Sequence, residues 1–355
     1  MFKTLGIFRL ASNSNILANG DRSLIVGVYV DDLVILSRAR ADRLRLISEL
    51  ETICELKLKF SEDISDCLGL RITTGPNYIV THQQDKIEKL AKKLGIESNN
   101  SQEVPIRTDK LLEDYEEEKT IDDLILYMSI IGELLYISRM TRPDIQVAVN
   151  QLARFNTKAK KQHLTFAKQV VQFLFNTRMQ RLVYAQFYTH PADKTQILAF
   201  SDSDFANDVR DRKSFSGNAI YLDSMLVSWT SVKQTIVAQS TNEAEIIAAN
   251  EALREALYIR NIVSELSCSS TELKLLTDNK GVIKFAIRGV GQRTKHLDLR
   301  LKLLYDLYSK KEIKISFVNS EFNVADLFTK FLNRTIFKRL SLRLNLLKKG
   351  AVSVA

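Results

Sequence analysis

From Gln196 to Leu332 the apolar pattern changes period in an ordered succession, and that succession narrows the fold more than any other feature of the chain. Ile197-Leu-Ala-Phe200 reads as a buried strand running into Ser201-Asp202, and alternating stretches continue to Gln234. A long helix is expected from about Asn242 to Leu266, then a strand, Leu273-Lys-Leu-Leu-Thr277, with Asp278 at its end. A further helix precedes the strand Ile313-Lys-Ile-Ser-Phe-Val318, and Asn323-Val-Ala-Asp326 opens the last helix. Three strands, helix, strand, helix, strand, helix is the order of an α/β domain, a mixed five-stranded sheet with flanking helices.

The first third has a different texture. Ser23 to Ser37 is an apolar, β-branched run interrupted only by Asp31-Asp32, which fits two buried strands meeting at an acidic turn. Ala41 to Leu58 carries apolar residues at helical spacing. Leu68–Ile72 and Tyr78–Thr81 read as a hairpin around Gly75-Pro76-Asn77, and Gln84 to Leu94 as a basic amphipathic helix. The pattern breaks between Asn99 and Asp123, where Asp114-Tyr-Glu-Glu-Glu-Lys119 reads as a solvated linker. Leu124 to Thr177 is helical in pattern, with Pro143 and Asp144 placed as a helix start favours.

Composition excludes several classes. Cys54, Cys67 and Cys268 form no CxxC pair and no disulfide framework, and His82, His163, His190 and His296 lie far apart with no ligand spacing to a cysteine, so neither a disulfide scaffold nor a zinc site is expected. No run has the length of a membrane span or a signal-peptide core, so the expectation is a soluble intracellular protein, of cytoplasm or nucleus, with no membrane partner. A net charge of +9 favours polyanionic partners through counterion release, though it equally suits a solubilising surface.

Four acids in the last domain stand where rigid elements meet a rim. Asp202 ends a strand, Glu245 lies in the first turns of the long helix, Asp278 ends the next strand and Asp326 begins the final helix. Taken singly, acids at such places are ordinary caps and dipole partners. Gathered together they would repel unless a cation neutralised them, and hard oxygen donors suit magnesium or manganese. Two such ions roughly 4 Å apart can hydrolyse a phosphodiester without any side-chain nucleophile.

The surrounding motifs make the set specific. Ser201-Asp-Ser-Asp-Phe205, Asp211-Arg-Lys-Ser-Phe-Ser-Gly217, Val227-Ser-Trp-Thr-Ser-Val-Lys-Gln234 and Val237-Ala-Gln-Ser-Thr-Asn-Glu-Ala-Glu245 occur in that order. Thr277-Asp-Asn279, Arg293-Thr-Lys-His-Leu-Asp298 and Ala325-Asp-Leu-Phe-Thr-Lys330 follow. The series resembles the RNase H domain of copia-type LTR retrotransposon Pol polyproteins. That resemblance implies RNase H-type endoribonuclease activity on RNA–DNA hybrids. Asp202, Glu245, Asp278 and Asp326 would be both catalytic and metal-binding, holding two Mg2+ or Mn2+ ions. It favours Glu245 over Glu243, and Asp202 over Asp204. Phe205 stands where the family commonly has Trp, and Ile246 where it has Tyr. No histidine occurs in Asn319–Asn323, the stretch where cellular relatives often carry one to help product release, so slower turnover is expected. Arg212, Lys213, Lys233, Lys295 and Arg300 are candidate phosphate contacts, and His296 a structural or substrate-contacting residue.

Tyr29-Val-Asp-Asp32 between apolar strands, with Cys67-Leu-Gly-Leu-Arg71 downstream, resembles the reverse-transcriptase palm. Asp31 and Asp32 would be a polymerase remnant, because the third metal-binding aspartate expected on an earlier strand is missing from the residues before them. The chain alone is therefore expected to lack polymerase activity. Tyr127–Gly132, Leu135-Tyr136, Thr141–Ile145 and Ala148–Phe155 resemble the thumb and connection helices. The expected organisation is a partial palm of α+β type (1–107), a helical connector (108–195), an RNase H domain (196–340) and a basic tail (341–355). Expected partners are an RNA–DNA hybrid and other Pol or capsid components. The alternative is a catalytically inactive relic or a nucleic-acid-binding module.

Overall fold

The computed structural model describes residues 5–62, 64–98, 100–106, 124–185, 194–208, 210–267, 269–289 and 298–348, and of 298–301 the backbone alone. The chain divides into two compact units, one of residues 1–63, 190–195 and 256–271, the other of 64–189, 196–255 and 272–355.

The smaller unit is an antiparallel meander of β1 (Ile7–Arg9), β2 (Ile16–Asn19), β3 (Leu24–Tyr29) and β4 (Asp32–Ser37), followed by α1 (Arg40–Cys54). Period-two alternation turns Leu24 and Val26 inward, and helical spacing turns Leu46 and Leu50 toward them, closing a core with Ile7 and Leu17. Within this unit Glu265 accepts from the backbone N–H groups of Ala11 and Ser12 at 2.7 and 2.8 Å. The β3–β4 hairpin is the expected pair of strands, with Tyr29 opposite Asp32.

The larger unit begins with β5 (Asp66–Cys67), β6 (Leu70–Gly75), β7 (Tyr78–His82) and α2 (Gln84–Lys93), then α3 (Leu124–Met140), α4 (Gln146–Ala153), α5 (Lys161–Asn176) and β8 (Gln180–Ala185). It continues through β9 (Lys194–Asp204), β10 (Phe215–Leu222), β11 (Met225–Lys233), α6 (Thr241–Ser267), β12 (Ser270–Thr277), α7 (Lys280–Arg288), α8 (Asp298–Ser309) and β13 (Lys314–Phe317), of which the start of β9, the second half of α6 and the first residues of β12 are counted with the smaller unit. A 3-10 turn at Val324–Phe328, α9 (Arg334–Ser341) and β14 (Leu346–Lys348) close it.

Two sheets result. One has the order β14-β8-β7-β6-β5, so the hairpin at residues 70–82 pairs with β8, and Leu346–Lys348, inside the stretch read as a basic tail, forms an edge strand on β8. The other has the order β11-β10-β9-β12-β13, with β9, β10 and β11 antiparallel and β12 parallel to β13. This is the mixed five-stranded sheet expected from the sequence.

The sheet and the helices before it share one core. Phe200, Ala219, Tyr221 and Leu226 from the sheet pack in the same cluster as Tyr127, Ile130, Leu134, Val149, Leu152 and Val170 from α3, α4 and α5. Polar bonds pin the layers: Trp229 Nε1 donates to the Ser138 carbonyl at 2.9 Å, and Tyr127 Oη to the Leu152 carbonyl at 2.9 Å. Arg142 is only 1% exposed; its Nε and Nη2 reach both Asp144 oxygens at 3.0 and 2.7 Å, and Nη2 also meets Thr177 Oγ1 at 2.7 Å. The Thr-Arg-Pro-Asp segment thus closes on itself before α4 starts.

One local expectation differs from the structure. Asn323–Lys330 does not open the last helix. Asn323 caps a 3-10 turn through Ala325 N at 3.2 Å, and a separate cap, Asn333 to Ile336 N at 3.0 Å, starts α9.

Candidate metal centre

Each acid is delivered by the end of a rigid element. Asp202 lies on β9 opposite Gly217 of β10. Asp278 follows β12 directly, and Asn279 caps α7 through the N–H groups of Gly281 and Val282. That cap turns the chain just after Asp278, at the end of an interior strand.

The start of α6 separates two neighbouring glutamates. Glu243 N donates to Ser240 Oγ at 3.2 Å, and Glu243 Oε2 accepts from Gln239 N at 2.7 Å, so Glu243 is consumed by capping. Glu245, two residues on, points elsewhere. It offers an oxygen that lies within 4.8 Å of oxygens from Asp202 and Asp278. The structure thus brings together three of the four acids that the sequence singled out. Asp326, in the 3-10 turn, joins them through Lys330, whose Nζ is 3.1 Å from Asp326 Oδ2 and 3.7 Å from Asp202 Oδ2.

Electrostatics show what this crowding does. Burial, then the charges of Asp326 and Asp278, pushes the Asp202 carboxyl up to about 7. Burial, then Asp202 and Asp278, pushes Glu245 up to about 9. Burial also raises Asp326, and it raises Asp204 to about 6. Burial disfavours the Lys330 ammonium, but Asp202 and Asp326 outweigh it and hold that cation above the usual lysine range. Several oxygens are already engaged: Thr329 Oγ1 donates to Asp202 Oδ2, Ser320 Oγ to Asp278 Oδ2 at 2.6 Å, and Asn323 Nδ2 to Asp278 Oδ1 at 3.4 Å. Glu245 Oε2 and Asp326 Oδ1 are buried without a hydrogen-bond partner. Buried carboxylate oxygens left unpaired, with only hard oxygen donors in the set, fit a divalent cation of the magnesium or manganese type.

Thr329, Ser320, Asn323 and Lys330 did not emerge as site residues from the sequence. Thr329 and Lys330 lie inside the Ala-Asp-Leu-Phe-Thr-Lys motif, and the spacing of four from Asp326 to Lys330 was the available signal.

The other candidates are placed differently. Asp31 sits in the β3–β4 turn and Asp32 starts β4, both exposed; among the described residues no third carboxylate joins them. Val30 before them has φ +51°, a left-handed conformation costly for a β-branched residue. Arg212, in a turn with φ +56°, is exposed and Lys213 is half-buried. Lys233 is not free: its ammonium is bound to Asp208, and to Asp211 at 2.7 Å. Lys295 and His296 lie outside the described residues, and only the backbone of Arg300, in α8, is described.

No family model matches the chain. It is 26% identical over 324 residues to the retrovirus-related Pol polyprotein from transposon TNT 1-94 of Nicotiana tabacum, covering 89% of this chain and 24% of that protein. It is 26% identical over 340 residues to the Pol polyprotein from transposon RE1 of Arabidopsis thaliana, covering 94% of this chain and 22% of that protein. The chain is homologous to retrotransposon Pol polyproteins. It spans about a quarter of the length of these Pol relatives. Among solved structures, the N-terminal RNase H domain of a Mycobacterium tuberculosis protein, fused to maltose-binding protein, covers 42% of this chain and 97% of its own, with 15% identity and a TM-score of 0.29. Among the described residues of this Pol relative no helix is long and apolar enough to cross a membrane.

Proposed function

We propose that residues 196–340 of this Pol-related chain act as an RNase H-type endoribonuclease of the copia type, cutting the RNA strand of RNA–DNA hybrids. The observation that carries the reading is the meeting of Asp202, Glu245 and Asp278 oxygens within 4.8 Å, with a buried Glu245 oxygen left unpaired. Asp202, Glu245, Asp278 and Asp326 would hold two Mg2+ or Mn2+ ions. Bound there, the ions supply an activated water and stabilise the leaving oxygen. The chain's own part is to keep the carboxylates fixed and partly dry. Thr329 orients Asp202, and Ser320 and Asn323 orient Asp278.

A hybrid has an A-like minor groove lined with RNA 2′-hydroxyls, which polar side chains at the rim can test. Arg212 and Lys213 are the exposed or half-exposed candidates for backbone phosphates, whereas Lys233 is tied to Asp208 and Asp211 and serves the loop instead. The Tyr29-Val-Asp-Asp32 hairpin is proposed as palm-derived and without polymerase activity in this chain, in keeping with two exposed aspartates and no third carboxylate among the described residues.

The test is cleavage of a labelled RNA–DNA hybrid in magnesium by the full chain and by Asp278→Asn. Cleavage by the wild type that the variant loses is expected. Equal cleavage by both refutes the nuclease, and salt-sensitive binding by both with no cleavage points to a binding module instead.

A further inference from the structure

Lys330 is not one of the four acids, yet its ammonium lies against two of them, Asp202 and Asp326. We propose that the Lys330 ammonium is a built-in counter-ion for the metal-free centre and must leave Asp202 and Asp326 before a divalent ion can settle there. This rests on the metal-binding reading above.

The geometry is direct. Nζ lies 3.1 Å from Asp326 Oδ2 and 3.7 Å from Asp202 Oδ2, two of the four carboxylates that would hold the ions. Asp204 adds a third negative charge facing it. Asp202 and Asp326 are 3% and 6% exposed, so water screens their mutual repulsion poorly, and a cation between them removes most of it. The lysine itself is not locked in. Its side chain is 39% exposed and it is a long, flexible stem anchored on the segment just after the 3-10 turn, so it can swing to solvent without backbone movement. By contrast Thr329, its neighbour, is 1% exposed and stays on Asp202. One point charge thus stabilises the metal-free centre and would compete with an ion that replaces it.

The experiment uses the full chain and Mn2+ as probe. Mn2+ binding is measured by calorimetry for wild type, Lys330→Met and Lys330→Arg. Removing the competing charge is expected to tighten Mn2+ binding about tenfold, while Lys330→Arg binds as the wild type does. In EDTA, Lys330→Met is expected to melt at a lower temperature than wild type. A second measurement needs no variant. Acylation of wild-type lysines, mapped by mass spectrometry, is expected to rise at Lys330 when Mn2+ saturates the protein, as the side chain is released. Mn2+ binding no tighter in Lys330→Met, or Lys330 labelling unchanged or reduced by Mn2+, overturns the counter-ion role and leaves the metal centre standing. No Mn2+ binding by any of the three proteins overturns the metal centre itself, and this role with it.

Discussion

Gly217 offers the sharpest test of how packing builds the metal centre. It pairs with Asp202 across β9 and β10, and the 3-10 turn carrying Asp326 rests on its bare Cα. A Cβ added there would lie 2.7 Å from Thr329 Cγ2, 2.8 Å from the Ala325 carbonyl oxygen and 2.9 Å from Phe328 Cβ. Ordinary contact begins at 3.4 Å, so all three atoms must retreat by about 0.5–0.7 Å. One of them is backbone and another is a Cβ, so no flexible side-chain end can absorb the change. Overpacking of this kind costs about 1–3 kcal/mol. The displaced segment also carries Thr329, which holds Asp202, and Asp326 itself. A misplacement approaching 1 Å at reacting groups costs on the order of a hundredfold in rate. Gly217→Ala is therefore expected to lower the urea midpoint and to cut hybrid cleavage far more than its stability loss explains. Both are read on the purified chain, with cleavage measured at a temperature where the variant is folded. An alanine variant with wild-type cleavage would show that the turn is not positioned through this contact, and the packing argument would fail.

Three further outcomes follow from the same geometry. Glu243→Ala is expected to lose about 1 kcal/mol of stability through the lost cap and to keep cleavage, whereas Glu245→Gln loses cleavage and, with the cost of holding a proton on a buried carboxyl gone, melts higher than wild type in EDTA; the reverse pattern would exchange their roles. Arg142→Met leaves Asp144 buried without its partner and is expected to cost about 3–5 kcal/mol by urea denaturation, so a loss below about 1 kcal/mol contradicts the buried pairing. Asp202 and Glu245 have pKa values raised to about 7 and about 9 from ordinary values of 3.8 and 4.5, so the folded metal-free chain keeps protons that the unfolded chain has released. Their contribution is therefore most favourable below about pH 4 and is eroded as pH rises toward about 9, and the difference in urea midpoint between wild type and Glu245→Gln in EDTA is expected to widen over that range.

Much of the architecture was legible because it is written in local periodicity. The run from Leu24 to Ser37 and the helix at Thr241–Ser267 follow hydrophobic patterns that need no distant partner to be read. The short strands β1, β2, β8 and β14 were not read, and the reason is physical. Three to six residues carry little periodic signal, and β14 is a strand only because β8, more than 150 residues earlier in the chain, offers an edge with matching register. The tail-like composition of that segment is real, but a sheet edge overrides it.

The charged residues divide the same way, and they show why the acids were legible and the cations were not. An acid at a strand tip or helix start is confined by its element, so motif order alone locates Asp202, Glu245 and Asp278, and the cap geometry at Ser240 explains why Glu243 is a different kind of residue. A lysine is confined by nothing until a partner claims it. Lys233 looked like a phosphate contact on the last residue of β11, yet Asp208, 25 positions away and buried, takes its ammonium together with the guanidinium of Arg154. Lys330 drew no reading of its own at the end of its motif, yet two carboxylates, one of them 128 residues away, hold it. Long flexible cations go where folded acids leave negative potential, so their roles are set by the tertiary arrangement of the acids. These two destinations are distinct: Asp208 draws in Lys233 and Arg154 and, among the described residues, belongs to no cluster of ligand acids, while Asp202 draws in Lys330 at a place where other acids crowd. Charge at the first is already balanced by side chains. At the second one ammonium faces several carboxylates, and under the proposed reading that unsatisfied remainder is what would draw a cation from outside.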